Sequence, residues 1–406
     1  MSYKEFSEKT RVQIPAMVHL LRLGYKYLGN NYLSKDKTYD YETNILLEIF
    51  ESQYKKLNLN CKQKDIEDTL INIKNKLRND DLGKSFYEEC LLSTSKKIID
   101  FDNIENNTFH FTAEFSCLKG KGSFRPDITL FINGLPLVMI ELKKPNNKDT
   151  LVDEQKRMLK DRIPNKKFRR FLNLTQLMIF SNNMDYSYDD GIKPTQGAFY
   201  STISDNKVFF NCFREDYVNG EELGFYEQFK YKEIDSNEEL KILSDFDQID
   251  LQKELEYQTN IDKLTWTNRI ITSLCSKKRL LDILKYGIAF LKRDKEENGV
   301  FKTTKEKHII RYPQLFALYA LKNKLDQNIK SGTIWHVQGS GKTALSYFLT
   351  KFITDYYAKQ NVITKFYFIV DRLDLLQQAS SEFEARGLKV NKIKNKSEET
   401  GTKLLD

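Results

Sequence analysis

Apolar residues recur at helical spacing at the start of the chain. Ile14, Val18 and Leu21 fall on one face of a segment running from 8 to 28, which predicts an opening helix. The same spacing predicts further amphipathic helices at about 40–58 and 64–78. The first part of the chain is therefore predicted to be helical.

The pattern changes between Thr108 and about Lys144, where short runs rich in Phe, Thr, Ile and Val are separated by Gly. Such runs are typical of strands, and we predict three of them, at about 108–117, 127–132 and 136–143. A helix at about 150–162 and strands at 177–181 and 198–202 complete the predicted α/β unit.

The stretch from 213 to 260 is acidic and lacks strong periodicity, so we place a domain boundary there, giving domains 1–255 and 256–406. Strands that alternate with helices indicate a parallel sheet with crossover connections. That alternation is predicted for the second domain. Its elements are helices at 263–275 and 277–293, a polar stretch, a helix at 313–328, a strand at 332–337, a Gly-rich turn, a helix at 343–358, a strand at 365–371 and a helix at 372–386.

Composition narrows the class of protein. No apolar run is long enough to span a membrane, and the first residues lack the apolar core of a secretion signal. The five cysteines are widely spaced and form no CxxC pair, which argues against disulfides and zinc and favours a cytoplasmic protein. The formal net charge is +8. Eight cations against one acid between Lys156 and Arg170 favour a polyanion such as DNA and a solvated helix face about equally.

Two carboxylates and a lysine stand on a predicted hairpin. Asn133-Gly134 is a turn signal between two apolar runs. A three-residue loop, from Asn133 to Leu135, would place Asp127 opposite Glu141, with Lys143 on the same face. A two-residue turn would instead put Asp127 opposite Ile140 and separate the carboxylates. We therefore predict the longer loop.

Facing carboxylates suit Mg²⁺, which polarises a phosphodiester and lowers the pKa of bound water. Lys143 is then placed to orient the nucleophile or stabilise developing negative charge. Alternatively, Glu141 and Lys143 are surface positions on an edge strand, since Glu-x-Lys alone is common. The abrupt end of an apolar run in charge, beside an Asp from another strand, favours the site.

Pro126-Asp127, thirteen residues and then Glu141-Leu142-Lys143 resembles the PD-(D/E)xK nuclease motif. The segment RPDITLFINGLPLVMIELKKP resembles more specifically the nuclease domain of the restriction (R) subunit of type I restriction–modification enzymes. The resemblance implies catalytic roles for Asp127, Glu141, Lys143 and Gln155, with Asp127 and Glu141 as metal ligands. The family's Gln-x-x-x-Tyr element has Leu159 at the Tyr position here, and Glu8 is the candidate for a glutamate on the opening helix.

A second motif, HVQGSGKT from His336 to Thr343, follows an apolar run and opens a predicted helix, as a Walker A phosphate loop requires. Its Gly residues let backbone N–H groups converge on phosphates at a helix N-terminus. Lys342 is predicted to reach the β and γ phosphates of ATP, and the Thr343 hydroxyl to ligate Mg²⁺. A chance GSGKT in a loop is the weak alternative. The predicted nucleotide-binding loop residues are Gly339, Ser340, Gly341, Lys342 and Thr343.

Two flanking elements resemble those of superfamily 2 helicases and of the same R-subunit family. Gln314 and Tyr312 match residues that read and stack on adenine, although both could be ordinary helix-start packing. Asp371 and Arg372 match a motif that lies along the DNA track, and could equally be a strand end followed by a helix cap.

The resemblance implies an α/β protein: a PD-(D/E)xK endonuclease-like domain, with a mixed sheet flanked by helices, then an incomplete RecA-like helicase domain. It implies an ATP-dependent type I site-specific deoxyribonuclease that cuts and translocates double-stranded DNA with methyltransferase and specificity subunits. No acidic Walker B strand follows, so we expect a truncated chain that binds ATP weakly without hydrolysing it. Three alternatives stay open: a helicase–nuclease of DNA repair or another defence system, a nonenzymatic assembly module, and an ATP-binding regulator.

Overall fold

A computed structural model of the chain describes residues 7–34, 38–117, 123–144, 150–184, 187–189, 193–205, 207–215, 229–263, 269–297 and 300–392. The chain folds as two compact units, Met1–Ile288 and Ala289–Asp406. The helices between 255 and 286 belong to the first unit. A functional boundary at 255/256 stays a prediction.

Helices of the first unit surround a mixed sheet. Lys9–Gln13 forms a π-helical turn before α1, α5 continues into a π-helical turn over Tyr87–Leu91, and α6 continues into another over Met158–Arg162. The predicted opening helix, the two amphipathic helices and the helix at 150–162 are confirmed. The helices are α1 (Ile14–Arg22), α2 (Asn30–Leu33), α3 (Leu47–Leu57), α4 (Gln63–Lys76), α5 (Lys84–Phe86), α6 (Thr150–Arg157), α7 (Arg169–Leu174), α8 (Ser236–Asp245), α9 (Leu255–Ile261), α10 (Arg269–Leu274) and α11 (Lys277–Tyr286).

The strands of the first unit are β1 (Lys26–Tyr27), β2 (Phe109–Ala113), β3 (Ile128–Ile132), β4 (Leu135–Leu142), β5 (Leu177–Ser181), β6 (Ser187–Asp189), β7 (Lys193–Gln196), β8 (Ala198–Ser204) and β9 (Val208–Phe213). Within this unit the sheet order is β1-β2-β3-β4-β5-β8, and β9 pairs with β8. The β1–β2 and β4–β5 pairs are parallel and the others antiparallel, so the predicted mixed sheet is confirmed. β6 and β7 form a separate hairpin.

β4 is the centre of this sheet, and all eight of its residues are buried. On one face Met139 packs with Phe180 and Phe199 in an apolar cluster that also includes Leu151 and Met158 of the following helix. Strands covered on both faces carry continuous apolar runs rather than alternating ones. The sequence LPLVMI therefore fits a central strand, and the alternative of a surface edge strand for Glu141 is wrong.

The turn between β3 and β4 corrects the predicted loop length. Asn133 and Gly134 have φ values of 52° and 81°, the pair of left-handed conformations that a two-residue type I′ turn needs, and Ile132 pairs with Leu135. The ladder then shifts by one residue, because Leu137 is an extra residue opposite Leu130 and Phe131. This β-bulge produces the same register that we predicted from a three-residue loop. Ile128 pairs with Ile140, so Asp127 and Glu141 are the next residues along.

The second unit contains strands β10 (Ile288–Glu297) and β11 (Val300–Ile309) and helices α12 (Tyr312–Asp326), α13 (Lys342–Ala358) and α14 (Leu373–Ala385). The three helices were predicted. The strands β10 and β11 pair with each other, and they replace the predicted end of the 277–293 helix and the polar stretch after it. The helix stops at Tyr286 because Gly287 follows it.

The strands predicted at 332–337 and 365–371 are wrong, since residues 331–337 and 362–370 adopt no regular structure. Trp335, Ile363 and Ile369 are each at least 90% exposed. A parallel strand is stabilised by hydrogen bonds on its edges and by helices on both faces. Within the described ranges no strand pairs with either segment, and their apolar side chains stay largely exposed.

An ion-pair cluster ties α14 to β10 within the second unit. Arg293 binds both oxygens of Glu382 at 2.8 and 3.0 Å, and Arg386 approaches the same carboxylate at 2.5 Å. Burial opposes ionisation of Glu382, but the two arginines lower its pKa to about 2. Paired guanidinium–carboxylate contacts of this geometry fix orientation as well as adding stability.

Among the residues that the structure describes, no helix combines the length and the apolar composition needed to cross a membrane.

Candidate functional site

Asp127 lies at the start of β3, where the backbone of neighbouring elements holds it. Its Oδ2 accepts a hydrogen bond of 2.6 Å from the N–H of Leu142, and its carbonyl accepts one of 2.9 Å from the Gln13 amide. The first contact joins the ends of β3 and β4, and the second joins β3 to the opening helix. Asp127 is therefore fixed from two sides.

Glu141 faces a second buried carboxylate, Glu154 of α6, across the guanidinium of Arg162. Arg162 Nη1 lies 2.9 Å from Glu141 Oε1 and 2.8 Å from Glu154 Oε1. Glu141 and Glu154 are 3% and 1% exposed. The Arg162–Glu154 contact is short but not aligned as a hydrogen bond, so Glu154 Oε1 has no hydrogen-bond partner. Arg162 is therefore an ion-pair partner of both buried carboxylates.

These carboxylates disfavour one another's ionisation. Burial raises the pKa of Glu141 to about 8; Arg162 opposes the rise, and the charges of Asp127 and Glu154 add to it. Burial also raises the pKa of Asp127, whereas the hydrogen bond from the Leu142 N–H and the charge of Lys143 oppose that rise. The site thus has an excess of negative charge that a bound cation would relieve.

Lys143 and Glu8 complete the group. Lys143 Nζ donates to the Leu142 carbonyl at 2.8 Å and lies 3.6 Å from Glu154 Oε2. Glu8 accepts a hydrogen bond from the backbone of Lys144. Burial raises the pKa of Glu8, with Lys143 opposing the rise and Asp127 adding to it. The predicted lysine and the predicted glutamate of the opening helix thus lie in the same neighbourhood as Asp127.

Gln155 turns away from this group in the structure. Its Nε2 donates a hydrogen bond of 2.7 Å to the carbonyl of Val208 on β9. The neighbouring Glu154 faces Glu141 instead, and sequence reasoning missed it together with Arg162. One signal was available: Glu154 shares a helix face with Leu151 and Met158, both fully buried, so it is a carboxylate on an apolar face. The catalytic role of Gln155 stays a prediction.

The carboxylates fit a hard divalent cation better than an enclosed transition metal. Among the described residues, no three His, Cys, Asp or Glu side chains converge closely enough to hold a metal ion. Mg²⁺ is usually bound by one or two carboxylates, with water and substrate phosphate as its other ligands. Asp127 and Glu141, with Glu154 Oε1 lacking a hydrogen bond beside them, supply such a partial oxygen set.

The glycine-rich loop of the second unit has the conformation its motif predicts. Gly339 and Gly341 have φ values of 77° and 81°, and Gly341 caps α13, which begins at Lys342. No side chain caps this helix, so its first N–H groups are available to an anion. Ser340 is buried and its hydroxyl has no hydrogen-bond partner, and Lys342 Nζ reaches back to the Val337 carbonyl at 3.1 Å.

Gln314 is hydrogen-bonded to this loop and also caps the start of its own helix, the packing role that the sequence left open. Its Nε2 donates to the carbonyls of Ser340 and Gly341 at 3.3 and 3.0 Å, and its Oε1 accepts from the N–H of Arg311 at 2.9 Å. Tyr312, at the start of the same helix, makes an edge contact with Phe316. Loop and helix start are therefore hydrogen-bonded to each other, whereas adenine contacts by Gln314 and Tyr312 stay predictions.

Most of the basic segment from 156 to 170 is neutralised. Three of its cations pair outside the site: Lys156 with Asp153 at 3.1 Å, Arg169 with Asp80 at 3.6 Å, and Arg170 with Glu42 at 3.0 Å. Arg157 and Arg162 pair with Glu154. Five of the eight cations thus have acidic partners. The charge that the sequence concentrates here is largely compensated in three dimensions.

Comparison with known families agrees with the order of the two sites. Residues 5–196 match a family described as "Type I restriction enzyme R protein N terminus", and residues 307–404 match one described as "Type III restriction enzyme, res subunit". The carboxylate group and the phosphate loop fall in these two matches respectively. No solved structure gives a significant match.

Curated relatives of the chain are also described as subunits of type I restriction enzymes. The chain is 27% identical to a putative type I restriction enzyme MjaVIIP endonuclease subunit of Methanocaldococcus jannaschii, covering 71% of the chain and 22% of the relative. The MjaIXP subunit of the same organism is 24% identical over 94% of the chain and 34% of its own length. The HindI endonuclease subunit of Haemophilus influenzae is 24% identical over 71% of the chain and 22% of its own length. The chain thus spans about a fifth to a third of these relatives.

Proposed function

Since the chain belongs to the R subunits of type I restriction enzymes, we propose that its first unit cuts double-stranded DNA at the carboxylate site with Mg²⁺ as cofactor. The observation that supports this is the register of the β3–β4 pair, which places Asp127 opposite Glu141, with Lys143 beside them. Buried acids that raise each other's pKa are more typical of a reactive site than of an assembly module or a simple ATP-binding regulator.

In this proposal Asp127 and Glu141 hold the metal ion, with Glu154 as a further oxygen donor. Bound Mg²⁺ supplies a polarised phosphodiester and a water of lowered pKa. Lys143 stabilises negative charge on the phosphate as the nucleophile attacks. Arg162 keeps Glu141 and Glu154 in place and offsets part of their charge before the metal binds.

We further propose that the phosphate loop binds ATP within an ATPase domain of the RecA-like type. The first N–H groups of α13 would hold the phosphates, Lys342 the β and γ phosphates, and Thr343 a Mg²⁺ ion. In the whole protein, ATP hydrolysis would drive DNA translocation, and modification and specificity subunits would select the site. A helicase–nuclease of DNA repair or another defence system is the alternative, which activity without those subunits would favour.

The decisive experiment uses the full-length protein assembled with its modification and specificity subunits. Cleavage of a DNA carrying the recognition site is measured with Mg²⁺ and ATP, alongside ATP hydrolysis. We expect Asp127→Asn and Glu141→Gln to reduce cleavage by about a thousandfold, since metal catalysis contributes several kcal/mol. ATP hydrolysis should persist.

Glu67→Gln is the matched control, because Glu67 is an exposed carboxylate on α4. Full cleavage by Asp127→Asn and Glu141→Gln would refute the proposed site. Loss of ATP hydrolysis in the same variants would mean that they damage the fold or the assembly rather than the chemistry.

A further inference from the structure

Four lysines from three separate segments of the first unit lie close enough to affect one another, and two of them converge over Gly24. Lys26 lies on β1, Lys230 and Lys232 precede α8, and Lys277 is the first residue of α11. A Cβ added to Gly24 would lie 2.8 Å from Lys277 Nζ and 3.8 Å from Lys232 Cε. The two side chains therefore converge over one backbone position.

These ammonium groups repel one another. Burial lowers the pKa of Lys277, and the charges of Lys232, Lys26 and Lys230 lower it further, against an opposing attraction from Glu105. Within the described part of the chain, no carboxylate lies at ion-pair distance from any of the four lysines. This contrasts with the basic segment at 156–170, where five cations have acidic partners.

The start of α11 adds to the positive potential. Its first turn carries Lys277, Lys278 and Arg279 and no acid, and no side chain caps it. Cations at a helix N-terminus are unfavourable because the backbone N–H groups there already carry partial positive charge. Lys278 and Arg279 have partners in Asp282 and Glu215, whereas Lys277 lies 5.1 Å from the centroid of the Phe109 ring and forms no ion pair within the described residues.

A buried, unpartnered polar atom lies at the same place. His110 pairs with Lys26 in the β1–β2 register and is 8% exposed, and its Nδ1 has no hydrogen-bond partner. Burial lowers the pKa of His110, and the charges of Lys26 and Lys277 lower it further. A polar atom buried without a partner is costly, and a ligand that accepts or donates a hydrogen bond would offset that cost.

We propose that Lys26, Lys230, Lys232, Lys277 and the N-terminus of α11, here called the lysine surface, bind the phosphodiester backbone of duplex DNA. The inference rests on the proposed function, in which duplex DNA is the substrate. From the strand spacing and rise per residue, β1 lies about 20 Å from the carboxylate site. That separation is less than one turn of B-form DNA, so a single duplex is long enough to span both. The lysine surface would position the duplex without reading its sequence.

The test measures binding of a fluorescently labelled duplex of arbitrary sequence to the whole chain, without divalent metal and across a salt series. Lys26→Glu/Lys232→Glu changes two exposed lysines of the lysine surface, and Lys64→Glu/Lys96→Glu is the charge-matched control at exposed lysines elsewhere. We expect about a tenfold weaker affinity for the first variant and a salt dependence reduced by about two counterions. The control should bind like the wild type, and Lys277→Gln should weaken binding in the same direction.

Equal affinities for the two double variants, or a wild type that does not bind the duplex, would overturn the proposal. Inorganic phosphate is the second probe, read as thermal stabilisation. If phosphate stabilises the wild type but not Lys26→Glu/Lys232→Glu, while both bind DNA equally, the surface takes a free anion and the DNA proposal fails. Because binding is measured without metal, it is independent of cleavage. A complex that fails to cut DNA would refute the proposed function while leaving the binding result intact.

Discussion

The two candidate sites differ in how they are assembled. The carboxylate site combines Glu8 of the opening helix with Asp127 and Glu141 of the β3–β4 hairpin and with Glu154 and Arg162 of the helix after it. The phosphate loop is nearly contiguous, from His336 to Thr343. Its conformation comes from left-handed glycines at its turn and from the start of one helix.

Their exposure differs accordingly. Glu141 and Glu154 are almost fully buried, whereas Lys342 is exposed. The carboxylate site therefore depends on a finished sheet and on compensation of buried charge. The phosphate loop keeps its shape although the segments on either side of α13 form no strands. A contiguous motif can form locally, whereas a dispersed one reports on the packing of its whole unit.

The largest expected effect comes from removing the shared counter-ion of the buried site. Arg162→Met leaves Glu141 without its guanidinium and Glu154 with only Arg157 and Lys143 as partners, so we expect the free energy of unfolding of the first unit to fall by about 3–5 kcal/mol. Chemical denaturation followed by circular dichroism measures it. Arg372→Met is the control in the second unit, since its partner Asp374 is 61% exposed and the pair contributes at most about 1 kcal/mol.

The stability lost in Arg162→Met should also depend on pH. Glu141 has a pKa raised to about 8, so its neutral form favours folding below its ordinary value of 4.5, and that stability disappears as the pH rises through about 8. Without Arg162 the ionised form is penalised more. We therefore expect a larger deficit at pH 9 than at pH 5. An equal deficit at both would show that Arg162 acts through packing alone.

The second prediction tests whether the two sites act independently. Lys342→Ala should weaken binding of a fluorescent ATP analogue by about ten- to a hundredfold, because one charge-assisted phosphate contact contributes about 1.5–3 kcal/mol. Binding of Mn²⁺ by the first unit should not change, since Lys342 is the first residue of α13 in the other unit. If Lys342→Ala weakened the binding of both the ATP analogue and Mn²⁺, the two sites would not be independent.

The third prediction concerns pH and metal affinity. A metal ion at Glu141 competes with the proton that burial keeps on it, so the affinity for Mn²⁺ should rise up to about tenfold per pH unit and level off near pH 8. Calorimetry in buffers of different protonation enthalpy would detect the released proton. Glu141→Gln removes the titrating group and should flatten the profile. A rise that persists in Glu141→Gln would assign the proton to another residue.

The smallest expected effect lies in the second unit. Gln314→Ala removes the bonds from α12 to the loop carbonyls of Ser340 and Gly341, and should lower the stability of that unit by about 1 kcal/mol. Thermal unfolding measures it. Gln327→Ala, at the exposed far end of α12, is the matched control. A change in the unfolding of the first unit would contradict the local effect.

Sequence reasoning succeeded where the pattern is local. The strand Leu177–Ser181 and the helices α12, α13 and α14 follow from periodicity, and the phosphate loop from its glycines. It failed for the strands around the loop, because an apolar run becomes a strand only where neighbours bury it. It also missed the β10–β11 hairpin, whose Lys- and Glu-rich sequence lacks strand propensity.

The candidate sites show the same division. Asp127, Glu141 and Lys143 share one hairpin, so strand periodicity could place them together. Arg162 and the lysine surface could not be found this way, because their partners come from segments whose meeting is decided by packing. The basic segment at 156–170 was the misleading case, since charge counted along the chain ignores acids such as Glu42 and Asp80 brought in by the fold.

The extra residue Leu137 bears on whether the number of residues between Asp127 and Glu141 is odd or even. With a two-residue turn and an unbroken ladder, facing residues have an even number of residues between them. Asp127 and Glu141 have thirteen, an odd number that the single bulge reconciles with the Asn133-Gly134 turn. Homologous hairpins with an even spacer and the same turn should have a regular ladder, and those with an odd spacer should carry either a bulge or a longer turn. Spacer parity is therefore a property that can be read from aligned sequences before any coordinates are known.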